Sequence, residues 1–143
     1  MQFVFNDGGR AAAGYKGSAS DCVTRSIAIV TGKPYQEIYD ALNEAATSER
    51  KGKRKRGISS ARGGVYKQTY RKLLESLGLE WIPTMQIGSG CKVHLRDDEL
   101  PMGKLIVSTS RHLTAVIDGV IHDTHDPSRD GMRCVYGYFK VPA

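Results

Sequence analysis

Apolar residues recur every three or four positions through the first half of the chain, and in short alternating runs through the second. Val23, Ile27 and Val30 share one helical face and predict a first helix from Asp21 or Cys22 to Thr31-Gly32. Ser20 or Asp21 is placed to cap its free first-turn amides. Pro34 suits the first turn of a second helix carrying Ile38, Leu42 and Ala45 on one face, with Tyr35 and Tyr39 beside them, and fading near Ala46. Tyr66, Tyr70, Leu73, Leu74 and Leu77 mark a third helix over 65–77, stopped by Gly78. Between the second and third helices, residues 47–64 are polar and basic, and they read as a mobile surface loop.

The period then shortens. Strands are expected at Phe3–Phe5, Leu79–Ile82, Lys104–Thr109, Leu113–Ile117, Val120 to His122 or Thr124, and Val135–Val141, with one helical turn at Asp97–Leu100. Asp118-Gly119 between two apolar runs is the signature of a two-residue hairpin turn. Helices followed by an antiparallel sheet predict an α+β fold. At 143 residues, 40% of them hydrophobic, the protein is expected to form one domain over 1–143 around a real core.

Charge and cysteine usage narrow the function classes. The net charge of +6 is concentrated in Arg50, Lys51, Lys53, Arg54, Lys55 and Arg56, so the basic character is local. That run suits weak, salt-sensitive contact with nucleic acid or an acidic partner. Three cysteines with no CxxC spacing argue against a disulfide framework and a structural zinc site. With no signal-like or membrane-length apolar run, the expected compartment is the cytoplasm, where a thiol stays reduced. No phosphate-loop pattern occurs, and no cofactor is implied.

The candidate chemistry begins with Cys22. A thiol in the first turn of a helix has its thiolate stabilised by unbonded amides and the helix dipole. Its base must be a histidine held by a third group. His112 opens a strand whose partner returns through the Asp118-Gly119 turn. With Ile117 opposite Val120, Thr114 faces Asp123 and His112 faces His125. Asp123 is then the diagonal neighbour of His112 on the same face, within carboxylate reach. Asp126 lies beyond the pairing and requires the backbone to curl back, although a bulge would favour it. Asp123 ranks first and Asp126 second.

Three segments carry a resemblance. Asp21-Cys22-Val23-Thr24-Arg25-Ser26-Ile27-Ala28 resembles the cysteine-bearing helix of papain-like cysteine peptidases in the broad sense, small bacterial and phage members included. Arg111-His112-Leu113-Thr114-Ala115-Val116 resembles their histidine strand, and Asp123-Thr124-His125-Asp126-Pro127-Ser128 supplies the acid. That last segment is also similar to the Asp-Pro after the histidine hairpin in bacteriocin-processing peptidases and transglutaminase-like proteins. The resemblance implies a papain-like fold and a cysteine hydrolase, a peptidase or amidase acting on a peptide or protein through Cys22, His112 and Asp123 or Asp126. The family's oxyanion glutamine is missing: Lys16 stands six residues before Cys22. The Cys22 amide, Ser20, Lys16 and Asn6 are the candidate substitutes.

The competing reading is a non-catalytic basic protein that binds nucleic acid or a protein partner. Other constellations are weaker. Cys91 and His94, three apart, fall on opposite faces of a strand. His94, His122 and His125 with the nearby aspartates lack metal-site spacing. Cys134 reads as a core residue.

Overall fold

The structure, a computed structural model, describes residues 1–17, 19–49, 59–86 and 88–142. It is an α+β fold. The elements run β1 (Gln2–Phe5), α1 (Cys22–Thr31), α2 (Tyr35–Ala46), α3 (Lys67–Ser76), β2 (Glu80–Pro83), β3 (Lys104–Thr109), β4 (His112–Ile117), β5 (Val120–Asp123) and β6 (Gly137–Lys140). The strands form one sheet in the order β1-β5-β4-β3-β6-β2. The sheet is mixed rather than wholly antiparallel as expected, because β1 joins the edge of β5 in parallel, Phe3 opposite Ile121. Parallel pairing links segments far apart in sequence, so no local turn announces it.

Helical periodicity becomes a buried stripe. Val23, Ile27 and Val30 of α1, Ile38 and Leu42 of α2 and Leu74 of α3 pack on Ile106, Leu113, Ala115 and Phe139 of the sheet. The alternate strand residues Leu105, Val107, Val116 and Ile121 face the other way and pack with Leu95, Leu100 and Val135. Both faces of the central strands are therefore covered, which explains their nearly continuous apolar runs. Gly32 closes α1 in the left-handed region at φ 73°, its amide bonded to the Ala28 carbonyl. After α3, the Gly78 amide bonds to Glu75 and the Leu79 amide to Leu74, a Schellman stop with buried Leu79 and Leu74 at its apolar contact.

Several expectations need correction. Residues 97–99 form a hydrogen-bonded turn, the Glu99 amide bonding to the Arg96 carbonyl, that does not extend into a helix. The 47–64 segment is not uniformly a surface loop: Ala61 is fully buried, its amide bonds to Asn43, and its carbonyl accepts the Thr24 hydroxyl. Glu49 accepts from the Ser59 amide and hydroxyl and from the Thr69 hydroxyl, tying this segment to α3. The basic run Arg50, Lys51, Lys53, Arg54, Lys55 and Arg56 lies outside the described residues. Cys91 and Cys134 form a disulfide with their Cα atoms 5.8 Å apart, where a bridge was not expected. An antiparallel bridge between His94 and Cys134 brings these remote segments together, which a count of cysteines cannot reveal. No helix among the described residues is long and apolar enough to cross a membrane.

Candidate active site

Cys22 is the first residue of α1 and the free cysteine among those described. Asp21 precedes it as N-cap, but its side chain makes no capping bond. The carboxylate is buried instead, 2.7 Å from the Tyr35 hydroxyl, which donates to it, 3.3 Å from Arg10 Nε and 3.5 Å from Arg25 Nε. These three partners engage the carboxylate in place of the helix amides. Helix geometry leaves the amides of Cys22, Val23 and Thr24 without intrahelical acceptors, so positive potential persists around the sulfur.

His112 begins β4, and the hairpin fixes what it meets. Asp118 and Gly119 both have positive φ, 48° and 78°, as a type I′ turn requires. The register pairs Ile117 with Val120, Val116 with Ile121 and Ala115 with His122. Continued by one residue, it sets Thr114 against Asp123. His112 Nε2 lies 2.7 Å from Asp123 Oδ2, and the Thr114 hydroxyl donates to that same oxygen at 2.7 Å. Asp123 Oδ1 accepts from the Thr124 amide at 2.7 Å and lies 3.7 Å from Arg25 Nη2. The His125 ring stands 5.1 Å from that of His112, centroid to centroid. With Nε2 engaged by Asp123, Nδ1 is the nitrogen left for the thiol, and the two groups shift each other's pKa.

The electrostatics follow from these contacts. Burial pushes the Cys22 thiol up, but hydrogen bonds from His112 and the Leu113 amide, with the charges of His112 and Arg25, outweigh it and leave the pKa lowered. Burial alone disfavours a charged His112. Its bonds to Asp123 and Cys22 and their negative charge reverse that and raise it to about 9. Burial likewise pushes Asp123 up, while bonds from His112 and Thr114, the His112 charge and the Thr124 amide bring it below the ordinary value. A lowered thiol beside a raised imidazole is the condition for a thiolate–imidazolium pair.

The structure thus brings Cys22, His112 and Asp123 together. Asp126 stays apart: it is exposed, and its Oδ1 accepts from the Ser128 amide at 2.9 Å. β5 ends at Asp123, and the one side-chain hydrogen bond of Asp126 among the described residues stays within the turn that follows. Lys16 and Asn6 do not line the site. The Lys16 carbonyl accepts from Arg10 and Arg62, and Asn6 accepts from Gly8 and lies 3.4 Å from His122. Ser20 and Cys22 do line it. The cleft has a volume of about 460 Å³ and lies between the start of α1, the start of α3 and the β3–β4 turn, with Gly64, Tyr66, Lys67, Tyr70, Arg111 and Tyr136 on its walls. Cys91 is committed to its disulfide, and His94 bonds Glu99 at 3.2 Å. No group of three His, Cys, Asp or Glu side chains among the described residues is arranged to hold a metal.

Sequence reasoning did not single out Arg25 and Thr114. Both carried a signal. Arg25 is four residues after Asp21 on the cysteine helix, and Thr114 is two after His112 on the same strand face. No family model matches the protein, and no curated protein or solved structure matches it either.

Proposed function

We propose that this protein is a cysteine-dependent hydrolase of papain-like type, a peptidase or amidase that cleaves a peptide-like bond. The observation that carries the reading is the His112–Asp123 hydrogen bond at a cleft that Cys22 and His112 line together, with the imidazole lowering the pKa of the Cys22 thiol. The order of parts supports it as well: the cysteine starts the first helix, and the base and acid come from the later sheet. The Cys22 thiolate attacks the substrate carbonyl carbon, forming the S–C bond and an oxyanion. The oxyanion lies within reach of the Cys22 amide and the neighbouring first-turn amides, with the Ser20 side chain at the same wall. As the intermediate collapses, the C–N bond breaks, and the His112 proton passes to the leaving amine. His112 then takes a proton from water, whose oxygen attacks the thioester. The S–C bond breaks, the acid product leaves, and the thiolate is restored. Asp123 keeps the ring oriented and stabilises its charge throughout.

Incubation with a mixed peptide library, read by mass spectrometry, tests this. The parent protein is expected to generate new termini, and Cys22→Ala is expected to generate none. Cleavage that persists in Cys22→Ala, or none by the parent across libraries and pH, contradicts the reading.

A further inference from the structure

The walls of the cleft carry one sign of charge. Lys67 and Arg111 line it, and among the described residues no aspartate or glutamate does. Asp123 lies behind His112 and is buried. Lys67, at the start of α3, packs its ammonium 5.4 Å from the centre of the Trp81 ring, which anchors the side chain without neutralising it. Arg111 is exposed and, among the described residues, has no hydrogen bond or ion pair.

The backbone at Arg111 is a second, independent observation. Ser110 and Arg111 make the two-residue turn between Thr109 and its partner His112. Arg111 takes φ 58°, a left-handed position that glycine occupies without strain and a long side chain does not. The turn is held in place: Arg133 Nη2 donates to the Ser110 carbonyl at 2.6 Å, and the Thr109 hydroxyl donates to the His112 carbonyl at 3.1 Å. A cation therefore stands at a left-handed turn position on the cleft wall, one residue from the base and without a partner among the described residues.

We propose that Arg111, assisted by Lys67, is a specificity-determining residue that selects substrates bearing a carboxylate beside the scissile carbonyl. This rests on Cys22 being the nucleophile. The carboxylate is either an aspartate or glutamate side chain or the terminal carboxylate of a peptide. An exposed guanidinium–carboxylate pair changes binding about two- to fivefold, and more where the cleft excludes water.

Paired alkylating reagents test the claim. Iodoacetate and iodoacetamide both form a bond from Cys22 sulfur to carbon with loss of iodide, but only the first carries a carboxylate. The readout is the ratio of their rates, normalised to glutathione. The parent ratio is expected to exceed one, to fall about three- to fivefold in Arg111→Gly, and to fall further when Lys67→Gln is added. Arg111→Gly removes the strained side chain, so its melting temperature is expected to be no lower than the parent's; a lower one contradicts the strain argument. Lys67→Gln tests the same charge without touching the turn. Two peptides at millimolar concentration separate the sources: one capped at both ends with an internal glutamate, the other apolar with a free terminal carboxylate. The peptide that slows iodoacetamide labelling of the parent, and not of Arg111→Gly, names the source. A ratio unchanged in the double variant, or slowing by neither peptide, overturns the proposal. Failure of the hydrolase reading looks different: iodoacetamide alone then shows Cys22 behaving as an ordinary thiol.

Discussion

Asp123 sits where four partners converge, so its removal is felt both in the chemistry and in the fold. It receives His112, Thr114 and the Thr124 amide and lies beside Arg25. Asp123→Asn is expected to slow amide hydrolysis about 10²-fold or more, because the ring loses its orienting acceptor and the anion that stabilises its charge. The pH profile gives the sign. On the proposed mechanism hydrolysis needs protonated His112 to release the amine, so the parent's alkaline limb is expected near the raised value of about 9. Without the Asp123 charge that limb moves to lower pH, which a pH–rate profile of the variant measures. Arg25 acts at one remove, as a positioning residue. Its side chain is 12% exposed and stands between Asp21 and Asp123, so Arg25→Gln leaves both carboxylates short of a cation. A loss of about 3 kcal/mol in urea unfolding is expected; a change below ~0.5 kcal/mol contradicts the role.

Elements were legible where a local pattern forced them. The hairpin from His112 to Asp123 could be read from Asp118-Gly119 and two apolar runs, and with it came the register that ranks Asp123 above Asp126. α1 could be read from Val23, Ile27 and Val30, all buried. What escaped was non-local. β1 pairs in parallel with β5, Arg25 bridges α1 to β5, and Cys91 reaches Cys134; none of these has a signature at short range. The capping role expected of Asp21 failed for the same reason, since Arg10 and Tyr35 come from elsewhere in the sequence. Packing between β2 and β6 is equally invisible in sequence. Gly137 lies opposite Pro83, and a Cβ there would run into the Trp81 ring, which packs 4.7 Å from Phe139. Gly137→Ala is therefore expected to destabilise by about 1–3 kcal/mol in chemical denaturation; a neutral result would mean that the indole moves aside freely.

Across the whole molecule, the Cys22–His112–Asp123 array is also a stability determinant. Asp123 has a folded pKa below its ordinary 3.8, so its stabilisation is complete above that pH and is lost as pH falls through the folded value. Asp123→Asn is expected to be less stable than the parent at neutral pH and to lose less on acidification, as thermal melts at several pH values measure. The Cys91–Cys134 bridge closes a separation of 43 residues. Replacing both cysteines by serine is expected to cost about 2–4 kcal/mol. The bridge also removes one support for a reducing compartment, because the expectation of the cytoplasm leaned on unpaired cysteines. It leaves Cys22 as the thiol available to a reagent. The central claim is that His112 holds Cys22 as a thiolate, and the pH dependence of iodoacetamide alkylation of Cys22 tests it most directly, in the parent and in His112→Ala, with glutathione as reference. The midpoint of the parent profile is expected well below that of glutathione and is expected to move up toward it in His112→Ala. A parent profile that coincides with glutathione and does not respond to the loss of His112 would contradict it.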